Sequence, residues 1–120
     1  MNMALKVDVW EACKAEGSDK PIDLVYLSSA TMGDKSLEKE LLGLFAAQLP
    51  HYVEALKNSG STEELYRAAH TLKGAAKSVG AFKLSEIAES MEFSGKMEGK
   101  KLVDEISLVC SYISEIINPS

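Results

Sequence analysis

Apolar residues recur every three or four positions along most of this 120-residue chain, and glycine or proline interrupts the pattern at short intervals. Such spacing gathers the apolar side chains on one face of an α-helix, whereas a half-buried β-strand would show alternation. No two strand-like runs are present that could pair with one another. The pattern therefore predicts an all-α fold. Its longest series consists of Leu41, Leu42, Phe45, Leu49, Val53 and Leu56.

Turn and capping residues divide the chain into its predicted helices. Short helices are predicted near residues 8–15 and over residues 22–30, with Pro21 in the first turn of the second. A long helix then begins at Asp34 or Ser36 and runs to about residue 58, with Pro50 expected to kink it or weaken one turn. Three more helices are predicted over residues 62–79, 82–96 and 102–117, the first of them opened by a capping box at residues 61–64.

Short turns between long helices favour antiparallel neighbours. The predicted fold is therefore an up-down antiparallel four-helix bundle with one or two additional short N-terminal helices. Residues 1–20 are predicted to form an N-terminal extension and residues 21–118 the main domain.

The composition is that of an ordinary soluble domain, with 46% hydrophobic and 26% charged residues and a net charge of −5. The absence of a Lys/Arg block gives no reason to expect nucleic acid as a partner. No apolar run has the length of a signal peptide or of a membrane span, so a cytoplasmic location away from membranes is expected. Cys13 and Cys110 belong to no metal-binding or disulfide motif.

The predicted helix over residues 62–79 carries a histidine on its polar face. With about 100° of rotation per residue, His70 lies about 160° from Leu72, which marks the centre of the apolar stripe. An ordinary surface histidine would explain this position, but the residues around it favour a chemical role. The apolar stripe consists of Leu65, Ala68, Ala69, Leu72, Ala75, Ala76 and Val79.

Gly74 lies one helical turn beyond His70 on the same face, where a glycine costs about 1 kcal/mol relative to alanine. Its missing side chain would give another protein room to reach the imidazole, and close packing against a neighbouring helix is the alternative. Lys73 and Lys77 place two ammonium groups near the ring. They suit an anionic adduct such as a phosphoryl group, although solvating lysines would look the same.

The segment from His70 to Gly80, HTLKGAAKSVG, resembles the signature of the histidine-containing phosphotransfer (HPt) family, H-x-L-K-G followed by a glycine six residues later. The resemblance spans about residues 21–118 and implies a phosphorelay carrier that is phosphorylated on Nε2 of His70. It also implies that Lys73 helps to bind the phosphoryl group and that Gly74 supplies clearance for a receiver domain.

The family further implies a Gln or Glu on the next helix that holds Nδ1 of the histidine, and a basic residue four positions later; Glu92 and Lys96 match these positions. Helix geometry supports the first match, because His70 and Glu92 lie at equal distances from a chain reversal near Ala81. A carboxylate that accepts the Nδ1–H leaves Nε2 free to act as the nucleophile. A surface ion pair between Glu92 and Lys96 is the alternative, and both contacts are compatible.

The predicted function is to carry a phosphoryl group on His70 between receiver-domain aspartates in a multistep two-component phosphorelay. Its partners would be receiver domains of response regulators and of hybrid sensor histidine kinases, which would supply the Mg²⁺. The chain itself is predicted to be a monomer, to need no cofactor or metal, and not to be an enzyme with its own kinase or nucleotide site. No nucleotide-binding motif is present, and Thr71 stands where dimerising kinase helices have an acidic residue.

Three other interpretations stay open. A structural or adaptor bundle would share the fold without phosphotransfer. A metal-binding bundle could use His70 and Glu92 as ligands, but His70 faces outward and His51 is on another helix. A phosphotransfer domain of a larger chemotaxis-type kinase would keep the chemistry, although a short chain that starts at Met1 favours a stand-alone protein.

Overall fold

The computed structural model describes residues 20–119. In this range the chain forms five α-helices and no strand, which confirms the all-α prediction. The helix predicted near residues 8–15 lies outside the described residues. Among the described helices, none is both long and apolar enough to span a bilayer. The helices are α1 (Leu24–Ala30), α2 (Lys35–Lys57), α3 (Thr62–Ser78), α4 (Phe82–Ser94) and α5 (Gly99–Ile117).

The four long helices form the predicted up-down antiparallel bundle. Helix α3 packs against α2 and α4, and α5 packs against α4 and α2, so that the four helices enclose one core. The turns between them are three or four residues long, which forces each helix to run opposite to the one before it. Helix α1 packs against α2 as a single short addition to the bundle.

The predicted apolar stripe of α3 lies in this core. Leu65, Ala69, Leu72, Ala76 and Val79 are buried, and the two remaining alanines are half-buried. The small alanine side chains let α3 and α4 approach closely, which brings their outer faces together as one surface. The neighbouring helices contribute the buried side chains of Leu27, Leu42, Leu49, Leu84, Ala88, Met91, Leu102 and Val109.

Three helices begin at polar capping residues. The side chains of Asp23, Asp34 and Ser61 each accept a hydrogen bond from the backbone N–H three residues further on. Of the two caps considered for α2, the structure uses Asp34 and not Ser36. Pro21, predicted in the first turn of α1, instead lies two residues before the cap, because the Asp23 carboxylate sets the start of that helix.

Helix α2 continues through Pro50, which lies inside it at an exposed position, so the predicted kink or weakened turn stays a prediction. One predicted helix end requires correction. Helix α4 ends at Ser94 rather than at Lys96. Gly95 takes a left-handed conformation, with φ of 68°, and its N–H donates to the carbonyl of Met91, which closes the helix.

Gly80 joins the turn between α3 and α4 to the start of α1. Its φ is +86°, and its carbonyl accepts a hydrogen bond of 2.9 Å from the N–H of Asp23. A Cβ at this position would lie 2.9 Å from the Asp23 carbonyl oxygen, so a side chain is excluded both by conformation and by space. This glycine therefore lets the turn between α3 and α4 pack against the start of α1.

Candidate functional site

His70 and Glu92 meet across the outer side of the contact between α3 and α4. Nδ1 of His70 lies 2.6 Å from Oε2 of Glu92, although the two residues are 22 positions apart in the chain. The antiparallel reversal at Gly80 brings them to the same height, as helix geometry predicts. The imidazole remains 60% exposed, whereas the Glu92 side chain is only 5% exposed. One side of the ring is thus anchored while most of it faces solvent.

The partner of Nδ1 determines which ring nitrogen is nucleophilic. An ionised carboxylate can only accept hydrogen bonds, so Nδ1 of His70 carries the proton in this contact. In the neutral ring, the lone pair then lies on Nε2, at the edge farther from the backbone. The arrangement presents an exposed imidazole with a fixed tautomer.

Glu92 is held in the ionised state by its two partners. Its second oxygen, Oε1, accepts a hydrogen bond of 2.9 Å from Nζ of Lys73. Burial alone would raise the pKa of Glu92, but the hydrogen bonds from Lys73 and His70 outweigh it and lower the pKa below its ordinary value. The same bond to Glu92 raises the pKa of Lys73, against the opposing effect of burial. The carboxylate and the ammonium group therefore form a charged pair beneath the ring.

The other predicted basic residues, Lys77 and Lys96, are both exposed. Lys77 is exposed on α3, one turn beyond Lys73. Lys96 lies after the end of α4, where its backbone N–H donates to the Ser94 side chain. Both oxygens of Glu92 are bonded to residues of α3, so the pair of Glu92 with Lys96 is not what orients the carboxylate.

Gly74 faces open space beside His70. A Cβ built at this position would meet no atom within 4 Å, and the residue is exposed. Packing within the described part of the chain therefore gives no reason for a glycine here. The absent side chain leaves a clear approach along α3 to the imidazole.

A family model described as Hpt domain matches residues 40–116, which is more than half of the chain. The chain belongs to the HPt family. Comparison with curated proteins and with solved structures gave no match. HPt domains act in histidine phosphotransfer in phosphorelay signalling, as phosphocarriers that interact with receiver domains. The match begins within α2, so the boundary between residues 20 and 21 stays a prediction.

The sequence analysis assigns no role to two side chains of the HPt site, although helical spacing places one of them, Tyr66, on the same side of α3 as His70. The ring of Tyr66 stacks on that of His70, with centroids 5.8 Å apart and planes inclined by 12°. The hydroxyl of Ser85, buried on α4, donates to the carbonyl of Lys73 at 3.3 Å and ties the two helices together at the level of the site. Tyr66 could have been identified from its position four residues before His70, a spacing that makes helix side chains neighbours. Ser85 could have been identified as a polar residue within an apolar stripe.

The metal-binding interpretation would need more ligands than His70 and Glu92. Among residues 20–119, no group of three or more His, Cys, Asp or Glu side chains is arranged to hold a metal ion. His70 and Glu92 bond to each other, and His51 is exposed on α2. A pair of donors is fewer than the three or four protein ligands that zinc sites use.

Proposed function

We propose that this HPt domain takes a phosphoryl group from the aspartyl phosphate of one receiver domain onto Nε2 of His70 and passes it to an aspartate of another. The observation that carries the proposal is the hydrogen bond between Nδ1 of an exposed imidazole and the buried, ionised carboxylate of Glu92. This contact assigns the nucleophilic lone pair to the nitrogen that a partner protein can reach.

The transfer step needs no proton to enter or leave the site. The Nε2 lone pair of His70 forms a bond to phosphorus while the bond from phosphorus to the aspartyl oxygen breaks, and the departing carboxylate keeps that electron pair. The ring retains its Nδ1–H and becomes positively charged. The Glu92 carboxylate, 2.6 Å from Nδ1, stabilises that charge. Transfer to the second receiver is the reverse reaction, and both depend mainly on positioning and charge neutralisation.

Lys73 is proposed to change partners during this cycle. In the free protein its ammonium group bonds to Glu92. A phosphoryl group on Nε2 brings about two negative charges close to it, and the flexible lysine stem allows Nζ to turn towards the phosphoryl oxygens. Glu92 would then keep its hydrogen bond to the positively charged ring and lose the one to Lys73. Lys77 and Lys96, which are both exposed, would add positive charge at longer range.

The surface around His70 favours a protein as the phosphoryl donor and acceptor. Gly74 leaves open space on one side of the ring. Large apolar side chains lie exposed nearby: Tyr66 is 48% exposed, and Phe93, which follows Glu92 on α4, is 84% exposed. Exposed aromatic residues around a reactive group are typical of contact surfaces for proteins. The proposed partners are receiver domains of response regulators and of hybrid sensor histidine kinases.

The proposed carrier works as a monomer in the cytoplasm and depends on other proteins for its phosphoryl donor. All groups assigned to the site come from one chain, so a second copy is not needed. The receiver domains would bring the Mg²⁺ for their own aspartate chemistry. The carrier adds the tautomerically fixed imidazole and the surface on which the receiver docks.

The proposal is tested by loading the protein chemically and then offering it acceptors. Phosphoramidate, a small phosphoryl donor for histidine, should give an acid-labile and base-stable adduct on the wild type and none on His70→Gln. A panel of purified receiver domains with Mg²⁺ should then remove the label from the loaded protein. Lys73→Ala should slow this transfer while leaving the helix content, measured by circular dichroism, unchanged.

Two outcomes contradict the proposal. Equal labelling of His70→Gln would reject the site. A loaded wild-type protein that passes its label to none of the receiver domains would favour the adaptor interpretation, in which the same face binds partners without phosphotransfer.

A further inference from the structure

The imidazole of His70 has three different surroundings. Its Nδ1 edge contacts Glu92, its ring is stacked with that of Tyr66, and the side chain is 60% exposed. The Tyr66 contact is a nearly parallel stack, with planes inclined by 12° and centroids 5.8 Å apart. Tyr66 lies one helical turn before His70 on α3, a spacing at which the helix backbone makes the two side chains neighbours.

We propose that Tyr66 is a positioning residue for phosphotransfer, which holds the plane of the His70 ring and favours its positively charged, phosphorylated form. This inference rests on the proposed function. Tyr66 lies outside the H-x-L-K-G signature. The inference gives it a role in orienting His70 and in stabilising the phosphorylated ring.

The first argument is geometric. A hydrogen bond at Nδ1 fixes one point of an exposed ring but still allows the ring to pivot about that point. A stacked neighbour restricts this pivoting because it fixes the plane. Together, Glu92 and Tyr66 would hold Nε2 in one direction, which is what an in-line attack on phosphorus requires.

The second argument is electrostatic. Phosphorylation on Nε2 with Nδ1–H retained gives the imidazole a positive charge. The face of a tyrosine ring carries negative electrostatic potential and attracts a cation within about 6 Å of its centroid. The 5.8 Å separation of the two centroids falls within this range. Tyr66 should therefore stabilise the loaded ring more than the unloaded one.

The bundle itself has little need of this side chain. Tyr66 is 48% exposed and lies on the polar side of α3, away from the buried stripe of that helix. A replacement that keeps good helix-forming character should fold normally. Any loss of function can therefore be attributed to the ring and not to the core.

The experiment compares Tyr66→Phe, which keeps the aromatic face, with Tyr66→Leu, which removes it. Thr71→Ala, an exposed change on α3 next to His70 in sequence, is the control. Tyr66→Leu should slow phosphoryl transfer from a loaded receiver domain and shorten the lifetime of the phosphohistidine by about two- to fivefold. Tyr66→Phe and Thr71→Ala should stay within twofold of the wild type, a limit set by the precision of such assays.

A spectroscopic measurement accompanies the kinetics. The ring current of Tyr66 should displace the proton resonances of the His70 ring in NMR spectra of the unphosphorylated protein. The displacement should persist in Tyr66→Phe and disappear in Tyr66→Leu. This measurement needs no phosphoryl transfer, so it tests the stacked contact even if the proposed function fails.

Three results would overturn the inference. Tyr66→Leu could transfer and retain the phosphoryl group as well as the wild type, which would leave the stack without a role. Tyr66→Phe could lose as much as Tyr66→Leu, which would assign the effect to the hydroxyl group. Phosphoryl transfer could slow equally in all three variants, which would indicate that any substitution on this surface of α3 affects transfer. A wild-type protein that accepts no phosphoryl group would instead count against the proposed function.

Discussion

Helix α4 borders two contacts of the bundle, and each of them buries a glutamate. Glu92 lies at the contact of α4 with α3, and Glu105 of α5 lies at the contact with α4. Both carboxyl groups are largely buried, yet their pKa values are shifted in opposite directions from the ordinary value. The pKa of Glu92 is lowered, and burial raises the pKa of Glu105.

The difference lies in the hydrogen-bond donors that each carboxylate meets. Glu92 receives one bond from Lys73 and one from His70, both on α3, and these outweigh the effect of burial on its pKa. Glu105 borders a groove of mixed charge, where burial dominates its pKa and the positive charge of Lys83 opposes it only in part. Burial alone therefore does not lower the pKa of a carboxyl group in this bundle. The hydrogen-bond donors of α3 lower the pKa of Glu92.

The largest expected effect distinguishes these two carboxylates by function. Glu92→Leu should slow phosphoryl transfer to His70 by about a hundredfold, because the ring loses the group that fixes its tautomer and orientation. Glu105→Leu makes the same chemical change at the other contact of α4 and should leave transfer unchanged. The measurement is the rate of transfer from a phosphorylated receiver domain, with folding checked by circular dichroism.

Equal losses in the two folded variants would mean that any buried carboxylate beside α4 supports the site, and that Glu92 and Glu105 do not differ in function. An unimpaired Glu92→Leu would show that the hydrogen bond at Nδ1 is not needed for transfer.

The parts of this site that the sequence predicts are those that depend on helix geometry alone. The outward position of His70 and its approach to Glu92 follow from 3.6 residues per turn and one chain reversal. The bond of Lys73 to Glu92 does not follow, because a lysine stem can reach several partners and only the packed helices choose among them. The role of Gly80 was also hidden, since its close neighbour, Asp23, is distant in the chain.

The second expected effect concerns the open space beside His70 on α3, compared with a similarly open position at the start of α5. Gly74→Gln adds a side chain beside His70, in space that is empty within the chain. It should hinder docking of the receiver domain and slow transfer by about tenfold, while stabilising α3 by up to about 1 kcal/mol, the helix propensity that glycine lacks. The matched control is Gly99→Gln at the start of α5, where an added Cβ also meets no atom within 4 Å.

Transfer rates and urea denaturation together measure both parts of this prediction. If Gly74→Gln transfers as fast as the wild type, a partner does not need the open space. If Gly99→Gln is equally slow, the effect comes from a bulkier surface in general and not from clearance beside the histidine.

The smallest expected effect is on stability as a function of pH, measured by urea denaturation of Glu92→Gln and Glu105→Gln against the wild type. Because the folded-state pKa of Glu92 lies below its ordinary value of 4.5, the wild type should be more stable than Glu92→Gln above pH 4.5. That advantage should shrink as the pH falls from 4.5 through the lowered pKa.

Glu105 should show the opposite sign. Its folded-state pKa lies above the ordinary value of 4.5, so its ionised form opposes folding at neutral pH. Glu105→Gln should then be more stable than the wild type at neutral pH, and the difference should vanish as the pH falls through the raised pKa towards 4.5. Two variants with the same pH dependence would show that the donors on α3 do not separate Glu92 from an ordinary buried carboxylate, and the contrast between the two contacts of α4 would be lost.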